Sequence, residues 1–145
     1  MAATLIDTNV LVYAYDRSEP DKQRRALEVL DGLARAGDGR LSAQVLSEFF
    51  VNVTRKIAAP LTIAQAGQRI EHYVQIWPVF PVTSQVVFEA VRGVREYQLS
   101  FWDAQIWAAA RLNRVSTVLT EDFNPGAVIE GVRFVDPFAN ERVSE

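Results

Sequence analysis

The chain has 145 residues, which suits one compact domain over 1-145 with a radius of gyration of roughly 15 Å. The absence of cysteine excludes thiolate zinc sites and a disulfide framework. The net charge of -3, from 15 Lys+Arg against 18 Asp+Glu, gives no whole-molecule attraction for nucleic acid. Any such contact must use local basic clusters: Lys22, Arg24 and Arg25; Arg55 and Lys56; Arg92 and Arg95. Each of these also reads as a solvated helix face. With no basic leader and no apolar run near the ~18 residues of a membrane span, a soluble, cytoplasmic protein without membrane contact is expected.

Leu5 to Ala14 reads as a buried strand that stops at Asp7-Thr8-Asn9 and resumes as an apolar helix. Ser18 to Asp21 is a loop with a helix start, and Lys22 to Ala36 follows with Ala26, Leu27, Leu30, Leu33 and Ala34 at helical spacing. Gly37-Asp38-Gly39 stops it, and Arg40-Leu41-Ser42 is a short strand. Ala43 to Lys56 forms a helix with Val45, Leu46, Phe49, Phe50 and Val53 on its apolar face. Thr62-Ile63-Ala64-Gln65 fits a capping box that opens a helix to about Ile76.

Trp77 to Val82 is extended, because Pro78 and Pro81 deny it both helix and a central sheet position. Ser84 to about Tyr97 is helical, and Ser100-Phe101-Trp102-Asp103 opens a helix, Trp102 to Asn113, with Ile106, Ala109, Ala110 and Leu112 buried. Ser116 to Thr120 is a β-branched strand, and a last strand, Val132 to Val135, ends at Asp136-Pro137. All six prolines, Pro125 included, fall outside the helix interiors. Strands separated by helices imply βαβ units, hence an α/β fold: a three-layer α/β/α sandwich with a mostly parallel central sheet.

Four acids follow a strand or open a helix: Asp7, Glu48, Asp103 and Asp122. Each has a structural alternative. Asp7 can cap the next helix, and Glu48 belongs to the i, i+4 stripe Gln44-Glu48-Asn52-Lys56 of a wet helix face. Asp103 can complement a helix dipole, and Asp122 can serve turn chemistry. Together they argue for a cation, since two like charges ~4 Å apart repel by about 4 kcal/mol at an effective dielectric near 20. Oxygen ligands without cysteine favour Mg²⁺ or Mn²⁺ over zinc, and the natural chemistry is phosphodiester hydrolysis. His72, mid-helix beside Tyr73, reads as structural, and Trp102 and Trp107 read as core or groove walls. The absence of a glycine-rich phosphate loop argues against a nucleotide-driven enzyme.

Four segments in register, Ile6 to Ala14, Leu46-Ser47-Glu48-Phe49-Phe50, Leu99 to Ala104 and Leu119 to Phe123, closely resemble the PIN domain family. The closing Gly131 to Phe138 is similar to the ending of many bacterial members. The resemblance implies a Mg²⁺- or Mn²⁺-dependent ribonuclease, most often the VapC-type toxin of a type II toxin-antitoxin pair. It implies that Asp7, Glu48, Asp103 and Asp122 surround one or two metal ions, with Asp7, Asp103 and Asp122 as ligands. Asn9 and Thr8 then cap and orient, Thr120 supplies a hydroxyl near the cluster, and Ser100 serves there or caps its helix. The expected partners are an RNA substrate, a cognate antitoxin whose basic or aromatic side chains enter the acidic groove, and a second copy in a homodimer. Arg24, Arg25, Arg55 and Lys56 are the candidate contacts to the RNA backbone, which would make binding fall steeply with salt.

Two rival readings remain. One is a non-catalytic PIN-like interaction module that binds a basic partner through the acidic groove. The other is a phosphatase with a covalent aspartyl-phosphate, which needs a second Asp where this chain has Asn9.

Overall fold

The computed structural model describes residues 3–124 and 126–139. In the first strand, β1 (Thr4–Ile6), successive side chains point to opposite sheet faces, and both Leu5 and Ile6 have no exposed surface. Helices therefore cover both faces, which is the three-layer arrangement expected of buried parallel strands. Val118, Leu119, Val132 and Phe134 extend this core along the later strands.

The chain continues as α1 (Thr8–Tyr13), α2 (Pro20–Ala36), β2 (Gly39–Ser42), α3 (Ala43–Arg55), α4 (Ile63–Ile76), β3 (Val79–Phe80), α5 (Ser84–Tyr97), α6 (Phe101–Leu112), β4 (Thr117–Leu119), β5 (Val128–Ile129) and β6 (Val132–Val135). The sheet order is β3-β2-β1-β4-β6-β5, parallel throughout except for β5 against β6. After β1 the chain builds β2 and β3 outward on one side and then returns to place β4 on the other. The topological switch point lies between β1 and β4, and open α/β sheets bind ligands beyond the carboxyl ends of their strands at such a point. Among the described residues no helix is long and apolar enough to cross a membrane.

Local chemistry sets the boundaries. The second helix begins at Pro20, earlier than the expected Lys22, because proline at the first helical position lacks only a donor that would be unpaired anyway. Gly37, at φ 72°, ends it in the left-handed conformation. The capping box at Thr62 and Gln65 forms in both directions. The strand β3 sits at the sheet edge, where its flanking prolines are tolerated.

The structure departs from the sequence expectations in burial and in one strand. Leu27 and Leu112, expected inside, are 52% and 41% exposed, and Ala34 is also exposed, because the apolar stripes on α2 and α6 are wider than the surfaces that cover them. The strand β5 was not expected. It pairs back onto β6 through Glu130 (φ 49°) and Gly131 (φ 85°), a tight turn with two left-handed residues that usually carries Asn or Asp first. Here Glu130 is held by long-range contacts, two hydrogen bonds from Arg92 (2.7 and 2.8 Å) and one from Arg111 (3.0 Å). Of the prolines, Pro125 lies outside the described residues.

At Gly39 the indole of Trp77 crosses the backbone so closely that a Cβ would lie 2.4–2.7 Å from three of its ring atoms. Trp77 cannot retreat easily, since it stacks on Tyr73, whose ring packs edge-on against Phe49 in the core. Gly39→Ala should therefore destabilise the fold by about 1–3 kcal/mol, the usual cost of overpacking. Urea unfolding checks this: the midpoint should fall with an unchanged slope, and an unaltered midpoint would contradict the packing described.

Candidate metal centre

Asp7 occupies the first residue after β1, where its backbone N–H donates to the Leu119 carbonyl of β4 (2.9 Å). Its carboxylate is almost enclosed, at 5% exposure. One oxygen accepts from the Thr8 N–H (2.7 Å) and the other from the Thr120 hydroxyl (2.7 Å). Asp7 is itself the N-cap of α1, so the expectation that Thr8 and Asn9 take over capping is not met. Thr8 is the first helical residue and donates its hydroxyl to Glu48 (2.9 Å). The capping and cluster roles of Asp7 are compatible because its two oxygens face different partners.

Asp103 and Asp122 join Asp7. The three carboxylates each offer an oxygen within 4.8 Å of the others. Asp103 stands in the first turn of α6, whose N-cap, Ser100, accepts from the Asp103 N–H (3.2 Å). Asp122 follows β4 and donates its N–H to the Thr120 hydroxyl (3.1 Å), so Thr120 links Asp7 and Asp122. The adjacent Glu121 is drawn elsewhere, accepting from Tyr13 (2.7 Å) and pairing with Lys22. Glu48 lies outside the tight trio but lines the same cavity of about 320 Å³. It is fixed by Thr8 and by the Gln44 amide (3.1 Å).

The electrostatics follow from this crowding. Burial, opposed by the Thr120 and Thr8 hydrogen bonds and reinforced by the charges of Asp122 and Asp103, pushes the Asp7 carboxyl up from 3.8 to about 7. Burial also raises Asp103, with Glu48 adding to it, and raises Asp122, with Asp103 adding to it. A loose hydrogen-bonding contact from Asn9 pulls Asp122 down, although both polar atoms of the buried Asn9 amide lack a hydrogen bond of good geometry among the described residues. A buried amide without a well-formed hydrogen bond among the described residues, beside three oxygen donors of raised pKa, fits a bound cation with its waters. The donor set is all oxygen, as a hard ion requires.

Other expected residues divide. Lys56 lines the cavity, whereas Arg24, Arg25 and Arg55 are not among its walls, and the Arg25 guanidinium is engaged by the Pro137 carbonyl (2.8 Å). His72 is exposed on α4, against Tyr73, outside the cavity lining. Trp107 is fully buried with its N–H on the Ile129 carbonyl (3.1 Å), while Trp102 is 61% exposed and walls the cavity. The stripe Gln44-Glu48-Asn52-Lys56 lies along one wall of that cavity. Gln44 ties α3 to α6 by donating to the Trp102 carbonyl (3.1 Å) and accepting from Gln105 (2.8 Å). Sequence reasoning missed Gln44 and Gln105 as site supports, and the only signal was the helical spacing of that stripe.

The sequence matches the PIN domain family model over residues 4–128. No curated protein matches it. Among solved structures it is similar to a toxin-antitoxin complex from Klebsiella pneumoniae, at 23% identity and a TM-score of 0.68, covering 93% of this chain and 98% of that one. It is similar to VapBC2 from Rickettsia felis bound to a promoter DNA fragment, at 17% identity and a TM-score of 0.64, covering 91% and 96%. It is also similar to the Mycobacterium tuberculosis sarcin-ricin loop cleaving toxin VapC20, at 18% identity and a TM-score of 0.61, covering 90% and 99%.

The raised Asp7 pKa has a stability consequence in metal-free protein. The unfolded chain releases this proton near 3.8 and the folded chain near 7, so between those values the folded state binds more protons and stability falls as pH rises. The loss is complete above about 7 and absent below 3.8. At about 1.4 kcal/mol per pKa unit the ceiling is about 4 kcal/mol. Asp7→Asn keeps a good cap and removes the charge, so in EDTA it should be more stable than wild type at pH 8, with the gain vanishing toward pH 4. Urea denaturation at both pH values checks this, and a variant less stable at pH 8 would contradict the account.

Proposed function

The chain belongs to the PIN domain family, and we propose that it is a metal-dependent endoribonuclease acting as the toxin of a type II toxin-antitoxin pair. The observation that carries the reading is the trio Asp7, Asp103 and Asp122, drawn within 4.8 Å at the sheet's switch point beside the Asn9 amide, which lacks a well-formed hydrogen bond among the described residues. Family membership supports nuclease chemistry, and the all-oxygen donor set supports Mg²⁺ or Mn²⁺.

In this reading Asp7, Asp103 and Asp122 hold the ion. A bound divalent ion lowers the pKa of the attacking water and neutralises charge developing on the phosphate oxygens. Thr120 keeps the Asp7 carboxylate aimed across the β1–β4 gap by donating to one of its oxygens, and the Thr8 N–H fixes the other. Glu48, held by Thr8 and Gln44, offers its remaining lone pairs to a water at the cavity wall and orients it toward the phosphorus. The Asn9 amide donates to a second water or to a phosphate oxygen. The reaction is hydrolysis: the water oxygen bonds to phosphorus, one P–O bond of the RNA breaks, and the leaving oxygen takes up a proton.

The antitoxin reading draws support from the fold likeness to toxin-antitoxin complexes. An acidic groove suits the basic side chains of such a partner. A homodimer is also proposed, supported by Phe88 and Val91 on α5, which stand 72% and 46% exposed on one helix face.

Purified protein incubated with structured RNA should cut it with Mg²⁺ or Mn²⁺ and stop in EDTA. Asp7→Ala and Asp103→Ala should each slow cleavage by about 100-fold or more, the range lost when a charge-stabilising group is removed. Cleavage that persists in EDTA or survives Asp7→Ala would refute the metal mechanism. Metal binding without any RNA cleavage would favour the non-catalytic module.

A further inference from the structure

A second cavity, of about 690 Å³, opens beside the acidic one. The two share Gln44, Glu48, Asn52, Lys56 and Trp102, so they form one continuous trough along α3 and the start of α6. The character of the surface changes along it. At the acidic end stand the carboxylates, and at the other end Val51 and Val82 form partly exposed apolar walls.

Trp102 stands where the two meet. Its ring meets Phe101 edge-on at 5.2 Å and is otherwise 61% exposed. Its backbone is not free, because its carbonyl accepts from Gln44, which Gln105 braces in turn. The indole is therefore presented on a fixed stem. Close by, the Asn52 side-chain amide has no hydrogen bond and Lys56 no ion pair among the described residues, although five acids line the adjoining cavity.

This combination suits a ligand with a flat apolar face and a polar edge. A phosphate fits poorly, since Glu48 shares the wall and, among the described residues, Lys56 is the one cation lining the trough. A nucleobase fits: every base offers a π-face to an aromatic side chain, and RNA is read through such unstacked bases. We propose that this cavity seats one unstacked nucleobase of the RNA, next to the cleaved phosphate, against Trp102. Asn52 hydrogen-bonds the base edge, and Lys56 faces the backbone between the base and the acidic trio. This rests on the ribonuclease reading and adds to it the residue that discriminates among substrates.

The test uses a short single-stranded RNA that the protein cuts, and variants of it lacking one base at a time. Binding is followed by the anisotropy of a fluorophore attached to the RNA, in the Asp103→Asn background with Mg²⁺, and by tryptophan quenching wherever Trp102 is present. Trp77 and Trp107 are buried, at 3% and 0% exposure, so quenching reports on Trp102. Trp102→Ala, at an exposed position that leaves the fold intact, should weaken RNA binding about 10- to 100-fold, and Trp102→Phe should retain most of it. Removing one particular base should cause a similar loss in the Asp103→Asn protein and no further loss when Trp102→Ala is added. Equal losses in both proteins at every position would overturn the seat. So would quenching by a basic, apolar peptide with none by RNA, which would assign the trough to a protein partner. RNA that quenches but is never cut by wild type would sink the ribonuclease reading alone, whereas cutting indifferent to Trp102 would sink the seat alone.

Discussion

Three carboxylates whose oxygens lie within 4.8 Å of one another repel, and at an effective dielectric near 20 each like-charged pair at that distance costs about 3–4 kcal/mol. Burial aggravates the cost for Asp7, the most enclosed of them. The fold nevertheless brings them together from three separate elements, the ends of β1 and β4 and the first turn of α6. The metal-free protein relieves the cost in part by taking up a proton on Asp7, whose pKa is raised to about 7 chiefly by burial and further by the charges of Asp122 and Asp103. On the proposed reading a divalent cation offsets that cost, and the folded chain is shaped for the bound state.

The rest of the structure holds the repelling groups in register. Parallel pairing of β1 with β4 sets Leu119 beside Ile6, so the residues that follow each strand emerge side by side. Thr120 joins Asp7 to Asp122 through one hydroxyl that donates to the first and accepts from the backbone of the second. On the opposite wall, Gln44 connects Glu48, the Trp102 carbonyl and Gln105, so α3 and α6 cannot drift apart without breaking buried amide hydrogen bonds. Glu121, the one acid directly beside the trio in sequence, is drawn off by Lys22 and Tyr13.

Much of this was legible before any coordinates. Periodicity alone predicts the helix Ser84 to about Tyr97 and the strand Val132 to Val135, close to the bounds observed, because both faces of those segments keep simple patterns. The placement of Asp7 at a strand end follows from apolar residues giving way abruptly to small polar ones. What stayed hidden depends on contacts between distant residues. The strand β5 is two residues long, and its turn relies on Glu130 being gripped by Arg92 and Arg111 rather than on a favoured turn sequence. Leu27 and Leu112 sit at the uncovered margins of apolar stripes whose central residues are buried. Which of the basic clusters faces the acidic cavity could not be read from spacing either: Lys56 does, while Arg25 is committed to Pro137. Capping and cluster membership at Asp7 looked like competing roles, and the two oxygens of one carboxylate reconcile them.

The central claim is that Asp7, Asp103 and Asp122 exist to share one cation. Crystals grown with Mn²⁺ and measured at its absorption edge test this directly. The account predicts an anomalous peak bounded by oxygens of all three carboxylates, lost in Asp103→Ala, with the Asn9 amide turned toward the ion's waters. A structure in saturating Mn²⁺ with no peak there, or with Asp7 turned away from the other two, would contradict it.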